Sequence, residues 1–221
     1  MSIFAKAIAA TFALALVLGV TGCSNQSDTA NALHSEETRM NLSASSLDIL
    51  GMYKGTSVDV NLVADPDLLT GQAKAVIEGE ISSFSRGREW QFGGPDNASS
   101  YSTVMEVIVT KVYKGTGLMP GAKVYVEHFL APDVTIESLN SNLVGLKCGL
   151  FLIPAADDGY AALVDADSGR PLGEPLWVSG AQTFVVQDKT NQQVVWPQLD
   201  EVRKGDLNDA MPGGSLTPLT R

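Results

Sequence analysis

Histidine and cysteine are scarce in this chain, and their scarcity limits the chemistry that it can carry. The 221 residues include two histidines, His34 and His128, and two cysteines, Cys23 and Cys148. A catalytic zinc site takes three protein ligands, so a His-based zinc site has too few ligands here. The G-x-S-x-G, S-x-x-K, H-E-x-x-H, P-loop and C-x-x-C patterns are also absent from the sequence. We therefore predict no cofactor, no metal ion and no catalytic residue.

Positive charge is the second deficit. Lysine and arginine number 15 against 25 aspartates and glutamates, which gives a net charge of −10, or −11 without residues 1–22. An acidic surface repels phosphate backbones and anionic lipid headgroups, so nucleic acid is not expected as a partner. Attachment to a membrane could not depend on a polybasic patch, and it would need a covalent anchor.

The longest hydrophobic run lies near the N-terminus and is short for a membrane span. Residues 7–20 follow the single positive charge of Lys6 and contain one polar residue, Thr11. A helix that crosses the hydrocarbon core needs roughly 20 apolar residues. A charged start, a short apolar run and a small-residue end are typical of an exported signal peptide.

The four residues Val20-Thr21-Gly22-Cys23 come directly after this run. They resemble the lipobox of bacterial prolipoproteins, in which a branched apolar residue and two small residues precede a cysteine. The resemblance implies cleavage by signal peptidase II between Gly22 and Cys23, and attachment of a diacylglyceryl group, with palmitate, to Cys23. Two acyl chains bind a membrane stably, whereas one chain alone binds marginally. The alternatives are an uncleaved helix and ordinary secretory cleavage in which Cys23 has no role.

These features predict four segments and a location. Residues 1–22 are the signal peptide, and residues 23–46, rich in Ser, Asn, Thr and Ala, form a flexible tether. Residues 47–205 form a β domain, and residues 206–221 a loose C-terminal tail. The domain is then held at the extracytoplasmic face of a bacterial membrane, with the lipid on Cys23 as its contact with that membrane.

Short strands separated by turn residues dominate residues 47–205. The strand pattern is found at residues 58–62, 75–84, 101–113, 123–130, 146–153, 160–164, 176–178, 183–187 and 193–196. Short helices are predicted at 65–71, 135–142 and 197–204, and Gly79 predicts a bend or bulge within its strand. The fold class is therefore mainly β: a small antiparallel OB-like barrel or sandwich with short peripheral helices, after an N-terminal signal helix.

A family resemblance implies the same fold. The ordered set of residues 75–81, 101–115, 121–126 and 145–152 is similar to bacterial extracytoplasmic OB-like barrels related to netrin and metalloproteinase-inhibitor modules. The resemblance covers about residues 72–154 and implies an OB-like barrel only. Inhibition does not follow, because those inhibitors present a processed N-terminal cysteine and are braced by disulfides, whereas Cys23 is committed to lipid.

One loop has the residues of a binding edge. Trp90 and Phe92 lie in the connection Arg88–Gly94, and exposed aromatic side chains in a polar loop are typical of ligand contacts. The alternative is that Trp90 and Phe92 extend the strands and pack on the core, which is the commoner place for large aromatics.

Three further features each have a functional and a structural interpretation. Cys148 is either a reactive thiol or a buried, inert residue of an apolar strand. His128 is either a general base without an identified nucleophile or a structural residue near a strand end. Residues 165–169 resemble the start of a calcium loop but lack its later ligands, so an ordinary turn also explains them.

The sequence leaves three functions open. The first is a non-catalytic lipoprotein whose β domain binds a protein, peptide or cell-wall glycan. The second is a carboxylate-dependent envelope hydrolase, since carboxylates are plentiful and sequence spacing cannot pair them. The third is a purely structural role in the envelope.

Overall fold

The computed structural model describes residues 42–54, 62–91, 99–156 and 162–218. Within these ranges the chain is mainly β with short helices, which confirms the predicted fold class. The predicted signal helix, the predicted tether up to residue 41 and most of the strand predicted at 58–62 lie outside the described residues. None of the helices in the described ranges is long and apolar enough to cross a bilayer.

The helices are α1 (Ala44–Tyr53), α2 (Pro66–Gln72) and α3 (Ile136–Leu143). The strands are β1 (Ala75–Gln91), β2 (Ser99–Lys114), β3 (Lys123–His128), β4 (Lys147–Pro154), β5 (Ala162–Asp165), β6 (Leu176–Val178), β7 (Phe184–Gln187), β8 (Gln193–Trp196) and β9 (Glu201–Lys204). The predicted helix caps are confirmed: the Asp65 side chain caps α2 and the Thr135 side chain caps α3.

The nine strands form one sheet in the order β5-β1-β2-β3-β6-β4-β7-β8-β9, and β1 also pairs with β4. The second pairing of β1 closes a ring of five strands, β1-β2-β3-β6-β4. The sheet is mixed rather than antiparallel as predicted, because β3 and β6 run parallel. An odd number of strands in a closed ring cannot alternate direction at every step, so at least one pair in this ring must be parallel.

Strand β1 bends sharply enough to pair with three other strands. Its pairing with β2 has four register shifts, one of them at Glu78/Gly79, where a bulge was predicted. A Cβ atom on Gly79 would lie 2.3 Å from Val107 Cγ1 and 2.7 Å from the Ile108 carbonyl oxygen. Gly79 therefore allows β1 and β2 to approach where a larger residue would separate them.

Two hydrophobic clusters lie on the two faces of the sheet. The larger one takes alternate residues from the ring strands, together with Ile49 and Tyr53 of α1 and two leucines of α3. Members from the strands include Ile77, Met105, Val107, Val126, Leu150, Leu152 and Phe184. The second cluster lies on the outer face and includes Phe151 and Trp196. Helices α1 and α3 therefore cover the interior of the ring.

The C-terminal segment is packed, so its prediction as a loose tail is wrong for residues 206–218. A 3₁₀ helix at Leu207–Ala210, capped by the Asp206 side chain, buries Leu207 and Met211 in the outer cluster. Gly149 of β4 makes the space for them, because a Cβ there would lie 2.3 Å from Met211 Sδ. Residues 219–221 lie outside the described residues.

Two other boundaries differ from the predictions. The helix expected at 197–204 is a 3₁₀ helix, Pro197–Leu199, followed by β9, because Asp200 takes a left-handed conformation with φ of 53°. The predicted tether extended to residue 46, yet α1 begins at Ala44. The Ser46 hydroxyl is buried there and donates to Gln193 Oε1 at 2.8 Å.

Candidate functional site

The predicted binding loop is only partly a loop. Trp90 lies in β1 and is 5% exposed, so its ring belongs to the fold and offers no free face to a ligand. The alternative interpretation, that the aromatic residue extends the strand and packs, is confirmed for Trp90. Phe92 lies outside the described residues.

A buried ion pair lies beneath Trp90. Arg88 Nε donates to Glu127 Oε1 at 2.8 Å, and Arg88 Nη2 donates to Glu127 Oε2 at 2.5 Å. The Ser102 hydroxyl also donates to Glu127 Oε1 at 2.6 Å, and the Arg88 guanidinium carbon lies 4.6 Å from the Trp90 ring centroid. Two-point contacts of this kind fix the orientation of both side chains. Because every charge is paired, the cluster holds β1, β2 and β3 together rather than offering a free reactive group.

Three apolar side chains beside this cluster lie on the outer face of the sheet, and we call them the apolar strip: Phe129, Val178 and Ile153. Phe129 is 54% exposed and Ile153 is 49% exposed. Val178 is the register partner of both Glu127 and Ile153, so Val178 and Ile153 lie in one row with Glu127 across β3, β6 and β4. Phe129 follows directly after β3, two residues beyond Glu127. The Phe129 ring lies 6.4 Å from the Trp90 ring, so Phe129 joins the same face.

The nucleophile and base candidates of the β domain are both in the core. Cys148 and His128 are each at most 2% exposed. Burial is the largest cause that raises the pKa of the Cys148 thiol, and burial lowers the pKa of His128 to about 4. At neutral pH the thiol is protonated and the imidazole is neutral. The structural interpretation of both residues is therefore supported, and neither is placed to attack or to activate a substrate.

Carboxylates gather in one shallow depression of about 270 Å³. Its lining residues are Glu78, Glu80, Thr110, Lys147, Gln187, Asp206, Leu207 and Asn208. Two of the carboxylates already have structural partners. Glu78 accepts a hydrogen bond from the Tyr113 hydroxyl and lies 3.7 Å from Lys111 Nζ. Hydrogen bonds from the backbone and side chain of Asn208 hold the pKa of Asp206 below its usual value.

Asp206 does not fit the protonated acid of a glycoside-type hydrolase. Such an enzyme needs one carboxyl group kept protonated near neutral pH and a second, ionised one facing it. The pKa of Asp206 is shifted in the opposite direction, and Asp206 caps a 3₁₀ helix.

The calcium-like sequence at 165–169 forms a turn. Asp165 Oδ1 accepts from the Asp167 amide at 3.3 Å, Asp167 Oδ1 pairs with Arg170 Nη2 at 3.2 Å, and Gly169 has a φ of 86°. Over the part of the chain that the structure describes, no group of three or more His, Cys, Asp or Glu side chains could hold a metal ion. The ordinary-turn interpretation is therefore supported here.

We compared the chain with protein-family models, with curated proteins and with solved structures. No match was found in any of the three.

Two features that distinguish the outer face were not predicted from the sequence. Arg88, Ser102 and Glu127 are separated by 14 and 25 positions, so no local pattern links them. The one signal was Glu127 itself, a charged residue inside a strand with buried neighbours. Phe129 was included in the strand predicted at 123–130, but exposure of its ring depends on what packs around it.

Proposed function

We propose that this chain is a membrane-anchored extracytoplasmic lipoprotein whose β domain is a non-catalytic binding module. The anchor part rests on Val20-Thr21-Gly22-Cys23, which resembles the lipobox of bacterial prolipoproteins. The binding part rests on one contrast within the domain. Its only histidine and only cysteine, His128 and Cys148, are buried in the core, whereas Phe129 and Ile153 remain half-exposed on the outer face.

The apolar strip favours a protein or peptide as the ligand. Exposed apolar side chains that lie together on a sheet face are typical of protein contact sites. A glycan is usually bound on an open aromatic face. Of the two aromatic residues predicted for that role, Trp90 is buried and Phe92 lies outside the described residues. We therefore propose the strip, rather than Trp90, as the contact surface.

The anchor is tested by labelling growing cells with radioactive palmitate and isolating the full chain. The wild-type chain should carry label, and Cys23→Ala should carry none and retain its signal peptide. Cys148→Ala is the matched control, because it removes the other cysteine and should leave the label unchanged. Label on Cys23→Ala, or no label on the wild type, would refute the anchor.

The contact surface is tested by crosslinking in intact cells. A photoreactive side chain at Phe129 or at Ile153 should give a discrete crosslinked protein band. The same group at Met119, which is 63% exposed in the turn at the other end of β3, is the control and should not give that band. An identical pattern from all three positions, or no band from any, would contradict the proposed strip.

A carboxylate-dependent hydrolase is the second candidate, and the depression lined by Glu78, Glu80 and Asp206 is the observation in its favour. It is tested by incubating the full chain with purified cell-wall glycan and measuring new reducing ends. Release that is abolished by Glu80→Gln and retained by Glu89→Gln would support the enzyme and overturn the non-catalytic proposal.

A further inference from the structure

Helix α1 closes the interior of the ring with its C-terminal end. Ile49 and Tyr53 of α1 are buried in the interior cluster. The Tyr53 ring lies 5.9 Å from the His128 ring in a T-shaped contact and 5.4 Å from the Phe184 ring. The His128 and Phe184 rings are themselves 5.0 Å apart. Three rings from α1, β3 and β7 therefore form one contact at this end of the helix.

The N-terminal end of α1 is held by hydrogen bonds to the β7–β8 turn. The Ser43 hydroxyl donates to Asp188 Oδ2 at 2.8 Å, and the Ser43 amide donates to Gln193 Oε1 at 3.0 Å. The Lys189 amide donates to the Ser45 hydroxyl at 3.1 Å. Helix α1 is thus attached at one end by polar contacts and at the other by the three rings.

His128 makes its contact without hydrogen bonds. Its side chain is 2% exposed, and neither ring nitrogen has a hydrogen-bond partner among the described residues. Burying a neutral imidazole in this way costs little free energy compared with burying a charged one. An imidazolium has two N–H donors and a full charge, and burying it without an acceptor is far more costly.

Within the ranges that the structure describes, the groups placed against His128 do not offer a countercharge. Tyr53 of α1, whose ring contacts His128, is kept neutral by burial. Cys148 of β4, which interacts with Tyr53, is also kept neutral by burial. Phe184 of β7 and the register partner Thr103 of β2 carry no charge. Glu127, the neighbouring residue in β3, points to the opposite face, where it pairs with Arg88.

We propose that α1 is an acid-releasable plug of the ring, and that protonation of His128 detaches the Tyr53 end of the helix. Detachment opens the ring interior at His128 and lets water reach the imidazolium. Asp188, at the other end of α1, is no part of this sensor, because hydrogen bonds keep its pKa below its usual value and it remains ionised in mild acid. The proposal is independent of the proposed lipid anchor and of the apolar strip.

The direction and size of the pH effect on α1 opening follow from its thermodynamic linkage to protonation of His128. Burial lowers the pKa of His128 from 6.5 to about 4, so the closed state binds a proton less readily than the open state. Closure is therefore most stable above pH 6.5, and it weakens as the pH falls toward 4. For a His128 pKa of 6.5 in the open state, the equilibrium constant for opening rises roughly 30-fold between pH 7.5 and pH 5.

Amide hydrogen exchange on the full chain in detergent tests the plug. After correction for the intrinsic effect of pH on exchange, the amides of residues 49–53 should open roughly 30-fold more at pH 5 than at pH 7.5. The amides of β2, at the centre of the ring, should change little. His128→Phe keeps the aromatic contact and removes the titrating group, so its α1 amides should lose this pH response.

Two controls separate the plug from a general loss of stability. Asp188→Asn weakens the other attachment of α1, and it should raise opening by the same factor at both pH values. Histidine resonances of the wild type, assigned against a His34→Gln variant, should show His128 titrating together with α1 opening even if His128→Phe does not fold. Equal acid-induced opening in β2 and α1, a pH response that survives His128→Phe, or His128 titration without α1 opening would each overturn the proposal.

Discussion

Arg88 and Glu127 form a two-point ion pair on the outer face of the sheet, with 8% and 1% of their side chains exposed. The two residues come from β1 and β3, which are not neighbours, and Ser102 of β2 completes the contact between them. A charge pair so fully removed from water is stable only while both partners are present.

We expect Glu127→Gln to lower the free energy of unfolding by about 3–5 kcal/mol, because Arg88 would keep its buried charge without a countercharge. Urea denaturation of the full chain in detergent measures it. Glu89→Gln is the control: its ion pair with Arg86 is exposed, so its loss should cost less than about 1 kcal/mol. Replacing both partners, as in Arg88→Met with Glu127→Leu, should recover most of the loss. Equal effects of Glu127→Gln and Glu89→Gln would contradict this account.

Two glycines should respond to alanine in opposite directions. Gly79→Ala places a Cβ 2.3 Å from Val107 Cγ1, so we expect destabilisation of more than about 1 kcal/mol. Gly51 lies in α1 with open space around it, and Gly51→Ala should stabilise by about 0.5–1 kcal/mol. Urea midpoints of the two variants give the comparison. A stabilised Gly79→Ala would show that β1 and β2 do not approach as closely as described.

Met211→Ala should lower the free energy of unfolding by about 2–5 kcal/mol, because Met211 is fully buried against Gly149 in the outer cluster. The matched control is Met119→Ala, since Met119 is exposed and its loss should change stability by less than about 0.5 kcal/mol. Should Met211→Ala prove as mild as Met119→Ala, the C-terminal segment would be a loose tail after all.

A thiol count tests burial and lipidation together. Burial raises the pKa of Cys148 and keeps reagents away, so the native chain should react with an aromatic disulfide reagent only over hours. The urea-unfolded mature chain should release one equivalent of reporter, because Cys23 would be a thioether. Two equivalents would contradict the lipid on Cys23, and rapid reaction in the native state would contradict the buried thiol.

Acid should destabilise the wild type more than His128→Phe. Burial lowers the pKa of His128 to about 4, so its stabilising effect is complete above pH 6.5 and is lost as the pH falls toward 4. At pH 4 the free energy of unfolding of the wild type should have fallen by about 3 kcal/mol more than that of His128→Phe. Urea denaturation of both chains at pH 7.5, 5.5 and 4 measures it, and parallel pH curves would contradict the assignment.

Much of the local structure was predictable because its causes are local. Asp65-Pro66 begins α2 and Thr135 begins α3, since a capping side chain satisfies amides within its own turn. The strands at 176–178 and 193–196 were predicted with their observed bounds. Helix α1 was not predicted, because its serines are typical of tether composition. Ser43 before Ala44 is nevertheless an N-cap pattern, and Ile49 and Tyr53 have helical spacing.

The candidate site was much less predictable than the strands. Trp90 was predicted either to form a binding edge or to extend its strand and pack, and the structure buries it against Arg88. The apolar strip joins Val178 of β6 and Ile153 of β4 with Phe129, which follows β3. The register alone brings Val178 and Ile153 into one row with Glu127 of β3. No spacing in the sequence encodes that row, because two of its three strands are paired across long connections.

By itself the sequence determined the mainly β class, the helix caps, the bulge at Gly79 and the scarcity of catalytic residue types. These properties depend on side-chain chemistry and on contacts within a few positions. Only the tertiary structure decided the parallel pairing of β3 with β6, the ion pair of Arg88 with Glu127 and the burial of Cys148 and His128. Those depend on strand pairing and ring closure, which bring residues distant in the sequence together and decide which side chains lose their contact with water.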